Sequence, residues 1–383
     1  MITLEEVLSP ANMREACRRV MANKGAAGVD GMTVDRLPAH LEKHGASICA
    51  HIREGKYIPA AVKCVDIPKL NGGTRMLGIP TAQDRVIQQA IAQVLTAYFD
   101  PTFSEFSYGF RPGKKVHQAI EQAQRYIADG YQYVVEMDLA KFFDTVNHDR
   151  LMSKLEKHIE DKMLLRLIRR YLRTGIMSEG VAQSRDEGTP QGSPLSPILS
   201  LIVLDELDKF LEKRGLRFTR YADDNNVYVK SRTAGERVLK TLIKFIEGTL
   251  KLRVNLDKSG VFRPNKAKFL GYTFVGATGA PRVHLKRLRE KLKDIFFHSR
   301  GTSLRATIAK LNPVLRGWRQ YFRLDERKGI FEELDIHVRR HLRKLIWIVW
   351  KNPRTRERNL IKRGIAPRRA WKSSVNDRGA WWN

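Results

Sequence analysis

Cysteine is scarce in this chain, with only Cys17, Cys49 and Cys64 among 383 residues. An odd number without paired ligand spacing excludes a disulfide framework and a zinc module, and leaves three reduced, structural thiols. Long apolar runs are missing too. The stretch Leu195 to Leu204 is short and contains Pro197, and the opening Met1-Ile2-Thr3-Leu4-Glu5-Glu6 is acidic, which excludes a spanning helix and a secretory signal. These absences predict a soluble intracellular protein with no membrane partner. Acidic residues are outnumbered, 41 against 70 lysines and arginines, for a net charge of +29 and a pI near 10.2. Such a charge repels itself unless phosphates neutralise it, so the partner expected is a polyanion. Internal repeats and low-complexity tracts are absent, and nothing in the pattern speaks to oligomeric state.

What is present suffices for a real core, since 42% of residues are hydrophobic and the length predicts two or three domains. Residues 4 to 22 read as a helix that ends in the loop Asn23-Lys24-Gly25-Ala26-Ala27-Gly28-Val29-Asp30-Gly31, whose spacing is not that of a P-loop. Val65 to Lys69 and Thr74 to Pro80 flank Asn71-Gly72-Gly73 as a hairpin with Lys69 and Arg75 near its tip. Paired cations on such a hairpin suit a triphosphate. Thr81 to Asp84 is a capping-box-like start for a helix whose apolar face is Val86, Ile87, Ala90, Ile91, Val94, Leu95 and Tyr98. His117, in a helical pattern, is read as structural. Residues 149 to 175 read as helical, and a further helix is expected to start near Ser196-Pro197 with serine as its cap.

Two acidic features carry chemistry. Arg217 to Val229 reads as two strands around Asp223-Asp224, and Tyr133 to Met137 reads as a buried strand ending in Asp138. Adjacent carboxylates repel unless a hard cation such as Mg²⁺ resolves the conflict. Phosphoryl transfer by two metals requires acids from separate strands to converge on ions roughly 4 Å apart. Asp138, Asp223 and Asp224 are the catalytic candidates.

The blocks Met137 to Asp144, Gly188 to Pro197 and Tyr221-Ala222-Asp223-Asp224, in this order, resemble those of a group II intron reverse transcriptase/maturase, and the resemblance runs from about Leu4 to Trp381. It implies an α+β right hand: fingers with an N-terminal extension over residues 1–85, an antiparallel palm sheet with the remaining fingers elements over 86–280, and a three-helix thumb or maturase region over 281–383. It implies RNA-directed DNA synthesis from an RNA template and a DNA primer, with binding of structured intron RNA, splicing assistance and retrohoming. A stand-alone relative serving DNA repair or defence, and a splicing factor without catalysis, are the alternatives, the latter disfavoured by three intact acids. Two Mg²⁺ ions would be held by Asp138, Leu139, Asp223 and Asp224. Deoxynucleoside triphosphates would meet Lys69, Arg75, Ala140, Phe143, Gln191 and Lys258. Phe143 would exclude a 2′-hydroxyl while Phe142 packs, and Lys258 either protonates pyrophosphate or forms an ordinary ion pair. Lys24, Gly25 and Gly28 would lid the template, and Gly271 with Tyr272 would grip the primer end. Ser193 and Ser200-Leu201 depart from the family's usual Gly and Ala-Asn without touching the acids. Many relatives continue into a DNA-binding segment or an endonuclease; here neither is expected beyond the last residues.

From Pro281 onward there are 28 lysines and arginines against nine acids, so 19 of the 29 surplus charges sit there, together with all six tryptophans. Helical patterns over His284 to Phe297, Ser303 to Leu324 and Ile330 to Lys351 each pair an apolar stripe with a basic face. Basic helices with interleaved aromatics favour RNA. Arg316, Arg319, Arg339, Arg340 and Arg343 are the RNA-binding candidates.

Overall fold

The helix expected over residues 4 to 22 is cut at Ser9-Pro10, because proline has no N–H to donate and starts a helix better than it continues one; α1 is Leu4–Leu8 and α2 is Pro10–Ala22. The computed structural model describes residues 2–68, 74–174, 176–178, 181–183, 188, 192–299, 301–325 and 327–375. They form two units, the first running to Leu270 with Ala277–Gly279 added, the second made of Gly271–Gly276 and the described residues from Ala280 onward.

In the first unit, α3 (Leu37–Arg53) is followed by β1 (Val62–Pro68) and β2 (Thr74–Ile79), an antiparallel pair in which Ile67 faces Arg75. The expected hairpin is present, although its tip, with Lys69, lies outside the described residues. Next comes α4 (Ala82–Phe99). The Thr81 hydroxyl accepts from the Asp84 amide at 3.1 Å and donates to the Asp84 carboxylate at 2.7 Å, while the Tyr57 and Tyr171 hydroxyls donate to the same buried acid. The capping residue therefore also ties three segments together. The apolar face of α4 is buried as expected except at Tyr98, which is 40% exposed. It stands in the last turn, past the core, with its ring beside His158.

The middle of the chain supplies α5 (Val116–Ala128), β3 (Tyr133–Met137), α6 (Phe142–Thr145), α7 (His148–Glu156) and α8 (Lys162–Arg173). The helical stretch expected over 149 to 175 is thus two helices, because the Asp161 carboxylate accepts from the Met163 and Leu164 amides and starts the second. The short strands β4 (Ile176–Ser178) and β5 (Val181–Gln183) complete a sheet of order β2-β1-β4-β5, with β4 parallel to β1. α9 (Ser196–Lys213) has Leu195, not Ser196, at its cap; the Ser193 hydroxyl accepts from the Leu195 amide at 3.3 Å.

The palm sheet follows: β6 (Arg217–Tyr221), β7 (Asp224–Val229), the covering helix α10 (Arg232–Phe245) and β8 (Gly260–Phe262), in order β6-β7-β3-β8 and antiparallel throughout. Phe218, Val227, Val135 and Met137 join the apolar cluster that runs through α4, α8 and α9. Burying a residue of this size removes apolar area worth about 1.5–3 kcal/mol.

The second unit opens with β9 (Tyr272–Val275) and β10 (Ala280–Val283), an antiparallel pair. The expected helices are α11 (Lys286–His298), α12 (Leu304–Tyr321) and α13 (Lys328–Val349), joined through Leu288, Leu292, Phe296, Leu311, Leu334 and Val338. Two more helices follow that the apolar periodicity did not announce, α14 (Pro353–Ile361) and α15 (Pro367–Val375). Their signal was punctuation: each begins with proline, and the Asn352 side chain accepts from the Thr355 amide at 2.8 Å.

Candidate active site

Tyr221 pairs with Asp224 across a two-residue turn, Ala222-Asp223, so β6 and β7 put the acids at a hairpin tip. Ala222 takes φ +58° there, a left-handed conformation that costs a residue with a Cβ about 1–3 kcal/mol unless its surroundings impose it. They do. Arg220, wholly buried, donates from Nη1 to the Ala222 carbonyl at 2.9 Å, from Nη2 to the Ser107 hydroxyl at 2.7 Å, and from Nε to Asp208 Oδ1 at 2.7 Å. Asp208, on α9, is also wholly buried, and desolvation pushes its carboxyl upward against the opposing pull of Arg220. The stretch Ser107 to Gly109 lies alongside β6, its Tyr108 amide donating to the Arg220 carbonyl at 2.8 Å. A Cβ on Gly109 would stand 2.3 Å from the Ala222 nitrogen, so only glycine lets that segment touch the turn.

β3 runs between β7 and β8, and Met137 faces Asn225, which puts Asp138 level with Asp224 one residue on. Residues 253 to 259 zip onto it. The Asp138 amide donates to the Ser259 hydroxyl at 3.0 Å, its carboxylate accepts from Asn255 Nδ2 at 2.9 Å, and the largely exposed Lys258 ammonium lies 3.7 Å away. Of the two roles open for Lys258, the structure shows the ion pair. Leu139 bridges to Val254 with its side chain buried, so only its backbone oxygen could meet a cation. The Ala140 amide is engaged by the Arg253 carbonyl at 2.8 Å.

The sheet edge is strongly negative. Crowding by surrounding protein atoms, together with the charges of Asp223 and Asp138, pushes the Asp224 carboxyl up to about 6, although its outer side is open to water. Desolvation first, then Asp224 and Asp138, pushes Glu136 up to about 7 against a hydrogen bond from the Lys268 amide. Among the described residues no three His, Cys, Asp or Glu side chains are gathered into a ready metal cluster. The donor set is nevertheless of hard oxygens whose mutual repulsion a divalent cation would relieve, so these residues fit Mg²⁺.

The other candidates divide. Phe142 is buried and Phe143 half-buried, their rings edge to face at 5.3 Å. Gln191 and Lys69 lie outside the described residues, and Arg75 is placed only as a β2 backbone position. Lys24 is exposed, while Gly25 and Gly28 lie against Arg85 and the Thr81 backbone at the start of α4. In the second unit, Gly271 faces the Phe322 ring, and Tyr272 is fully buried with its hydroxyl donating to the Tyr321 carbonyl at 2.8 Å. The Tyr272 side chain is thus a packing group, leaving its backbone alone for any primer contact. Arg316 and Arg319 are exposed on α12; Arg339 and Arg340 are exposed on α13, with Arg343 half-buried, and Arg339 pairs with Asp335 at 2.6 Å.

Sequence reading missed Arg220, Asp208, Gly109, Asn255 and Ser259. An acid among Leu204, Leu207 and Leu211 on the apolar face of a helix was the available signal for Asp208.

An antiparallel sheet presenting acids at a hairpin tip and at a neighbouring strand end, with helices behind it, defines the palm of a right-hand polymerase. The family described as reverse transcriptase (RNA-dependent DNA polymerase) matches residues 67–274, and the group II intron maturase-specific domain matches residues 285–364. "Protein YkfC" of Escherichia coli is 31% identical over 313 residues, covering 71% of this chain and 81% of that one. "Group II intron-encoded protein LtrA" of Lactococcus lactis is 32% identical over 254 residues, 66% of this chain and 42% of the relative's length. "Putative COX1/OXI3 intron 1 protein" of Saccharomyces cerevisiae is 33% identical over 183 residues, 48% of this chain and 22% of its own. The chain belongs to the group II intron reverse transcriptase/maturase family and is an RNA-directed DNA polymerase. No helix among the described residues is long and apolar enough to cross a membrane.

Proposed function

We propose that the chain copies RNA into DNA at the edge formed by Asp138, Asp223 and Asp224, and that its second unit binds structured intron RNA and assists splicing and retrohoming inside the bacterial cytoplasm. The observation that carries the catalytic part is the register that brings the end of β3, with Asp138, level with Asp224 at the tip of the β6-β7 hairpin that carries Asp223. Asp138, Asp223, Asp224 and the Leu139 carbonyl would hold two Mg²⁺, which supply activation of the primer hydroxyl and neutralisation of the triphosphate. The chain's own residues do the rest. Asn255 and Ser259 orient Asp138, Arg220 and Gly109 hold the hairpin turn, and Lys258 stands where it can move from Asp138 toward an incoming phosphate. Lys69 and Arg75 would take the triphosphate, Gln191 would sit beside the base, and Phe143 would occupy the space of a 2′-hydroxyl. The loop bearing Lys24, Gly25 and Gly28 would cover the template.

Primer extension on an RNA template tests this. Asp138→Asn and Asp223→Asn should each lower the rate by about a thousandfold, the several kcal/mol assigned to charge stabilisation at such a site, with unchanged thermal unfolding. Extension near the wild-type rate by either variant would end the assignment.

A further inference from the structure

Behind the segment that carries Phe143 stands a glycine whose two backbone groups are both committed. Gly188 donates its amide to the Val146 carbonyl at 2.9 Å, and its own carbonyl accepts from His148 Nε2 at 2.6 Å. A carbonyl only accepts, so the ring carries a proton on Nε2. His148 is buried at the start of α7, where the Asn147 side chain caps the helix by accepting from the Arg150 amide at 2.9 Å. Gly188 takes φ +88°, and a Cβ there would stand 2.8 Å from both the Asp144 Cα and the Phe143 carbonyl oxygen. The glycine therefore rests directly on the peptide between Phe143 and Asp144, which is backbone and cannot swing aside as a side chain could. That segment cannot fix itself: α6 is a single turn of four residues, too short to hold its own shape, and it is entered through Lys141 at φ +49°. The other end of the loop is seated in the same way. A Cβ on Gly192, at φ +106°, would lie 2.5 Å from the Gly78 carbonyl oxygen of β2. Between the two glycines the sequence carries Gln191, so one short loop joins the strand of Arg75 to the backbone of Phe143.

We infer that His148 is a specificity-determining positioning residue. By holding the Gly188 carbonyl it keeps that glycine pressed behind the Phe143 peptide, and so sets how far the half-buried Phe143 ring reaches toward the 2′ position of the incoming nucleotide. Being buried, His148 meets no nucleotide and acts only through this backbone contact. The inference rests on the role proposed for Phe143. A site that must tell a hydroxyl from a hydrogen tolerates displacements of only about 0.5 Å, which a single buried hydrogen bond on the supporting backbone can decide.

Single-nucleotide incorporation on an RNA template, with deoxy- and ribonucleotides, reads the ratio of the two kcat/KM values in the full chain. A variant that is merely destabilised keeps this ratio in its folded fraction. His148→Leu, which removes the donor, should lower the deoxy preference by about three- to tenfold, the range of one hydrogen bond. His148→Gln places an amide N–H at the position of Nε2 and should restore the wild-type ratio. On a Phe143→Ala background His148→Leu should lower the ratio no further, because the two residues act as one unit. Thermal unfolding checks each variant, and His148→Phe, which keeps a ring without a donor, takes the place of the leucine where that chain does not fold. A ratio unmoved by loss of the donor while Phe143→Ala lowers it would overturn the role of His148 and leave that of Phe143 standing. An equal fall with His148→Gln, or a further fall on the Phe143→Ala background, would also overturn it, by assigning the effect to packing or to another path. If Phe143→Ala itself leaves the ratio unchanged, the reading of Phe143 fails and the inference falls with it.

Discussion

The hairpin tip and the basic helices of the second unit handle charge in opposite ways. At the tip, charge is buried and committed: Arg220 and Asp208 are both wholly out of water, and the arginine spends its remaining donors on the Ala222 carbonyl and Ser107. On α12 and α13 the charges are plentiful and largely exposed, with Arg339 holding only an exposed partner one turn away. Buried pairing yields geometry because removing either partner leaves an uncompensated charge, whereas exposed pairs are worth about 0–1 kcal/mol and are screened by salt. The first arrangement suits a reaction that must place atoms, the second an extended polyanion that must be held.

The contrast breaks most sharply at the buried pair. Asp208→Ala should strand Arg220 and lower unfolding stability by about 3–5 kcal/mol, read as a shifted urea midpoint. Asp208→Leu with Arg220→Met should recover most of that stability but not primer extension, since the donor to Ala222 is gone; an active double variant would show that the turn needs no brace.

Shape at the nucleotide is the next test of placed atoms. Phe143→Ala should reduce the preference for deoxy- over ribonucleotides by about tenfold or more, in line with about 1–3 kcal/mol for a lost steric contact. Single-nucleotide incorporation kinetics measure it, and an unchanged ratio would return Phe143 to the core beside Phe142.

A salt series on structured RNA examines the diffuse side. Arg339→Ala with Arg340→Ala and Arg343→Ala should make the slope of log affinity against log salt shallower by about one to two, at roughly 0.7–0.9 per phosphate contact; Arg339, already paired, contributes least. Asp223→Asn should leave that slope unmoved. The reverse result would move RNA binding to the first unit.

The smallest effect concerns acidity at the sheet edge. Glu136 is raised in the folded chain to about 7 from an ordinary 4.5, so between these values the folded state holds a proton that the unfolded state has lost. Stability therefore falls as pH rises from about 4.5 to 7, and Glu136→Gln should flatten that decline by an amount discounted for the half-exposed position. Thermal midpoints across this range check it; parallel curves for the two proteins would exclude Glu136 as the source.

Local pattern settled a good deal. Period-two alternation and turn chemistry specified β3 and the β6-β7 hairpin, 3.6-residue periodicity specified α4 and the three helices of the second unit, and acids at strand ends announced Asp138, Asp223 and Asp224, because each of these signals is a property of neighbours in the chain. What failed at this level failed for a local reason as well: Pro10, Asp161, Pro353 and Pro367 are punctuation that periodicity alone overlooks.

Tertiary structure alone decided how the turn is held and what surrounds each acid. Arg220 meets Ser107 across 113 residues, Asp138 meets Asn255 across 117, and Gly109 meets Ala222 by close backbone approach. Tyr272 and Phe143 looked alike as aromatic candidates, yet one is sealed in its own unit and the other stays half-open. Composition could establish that the chain carries 29 excess positive charges; which of its charges are buried, and so able to fix geometry, depends on contacts between segments that no local pattern encodes.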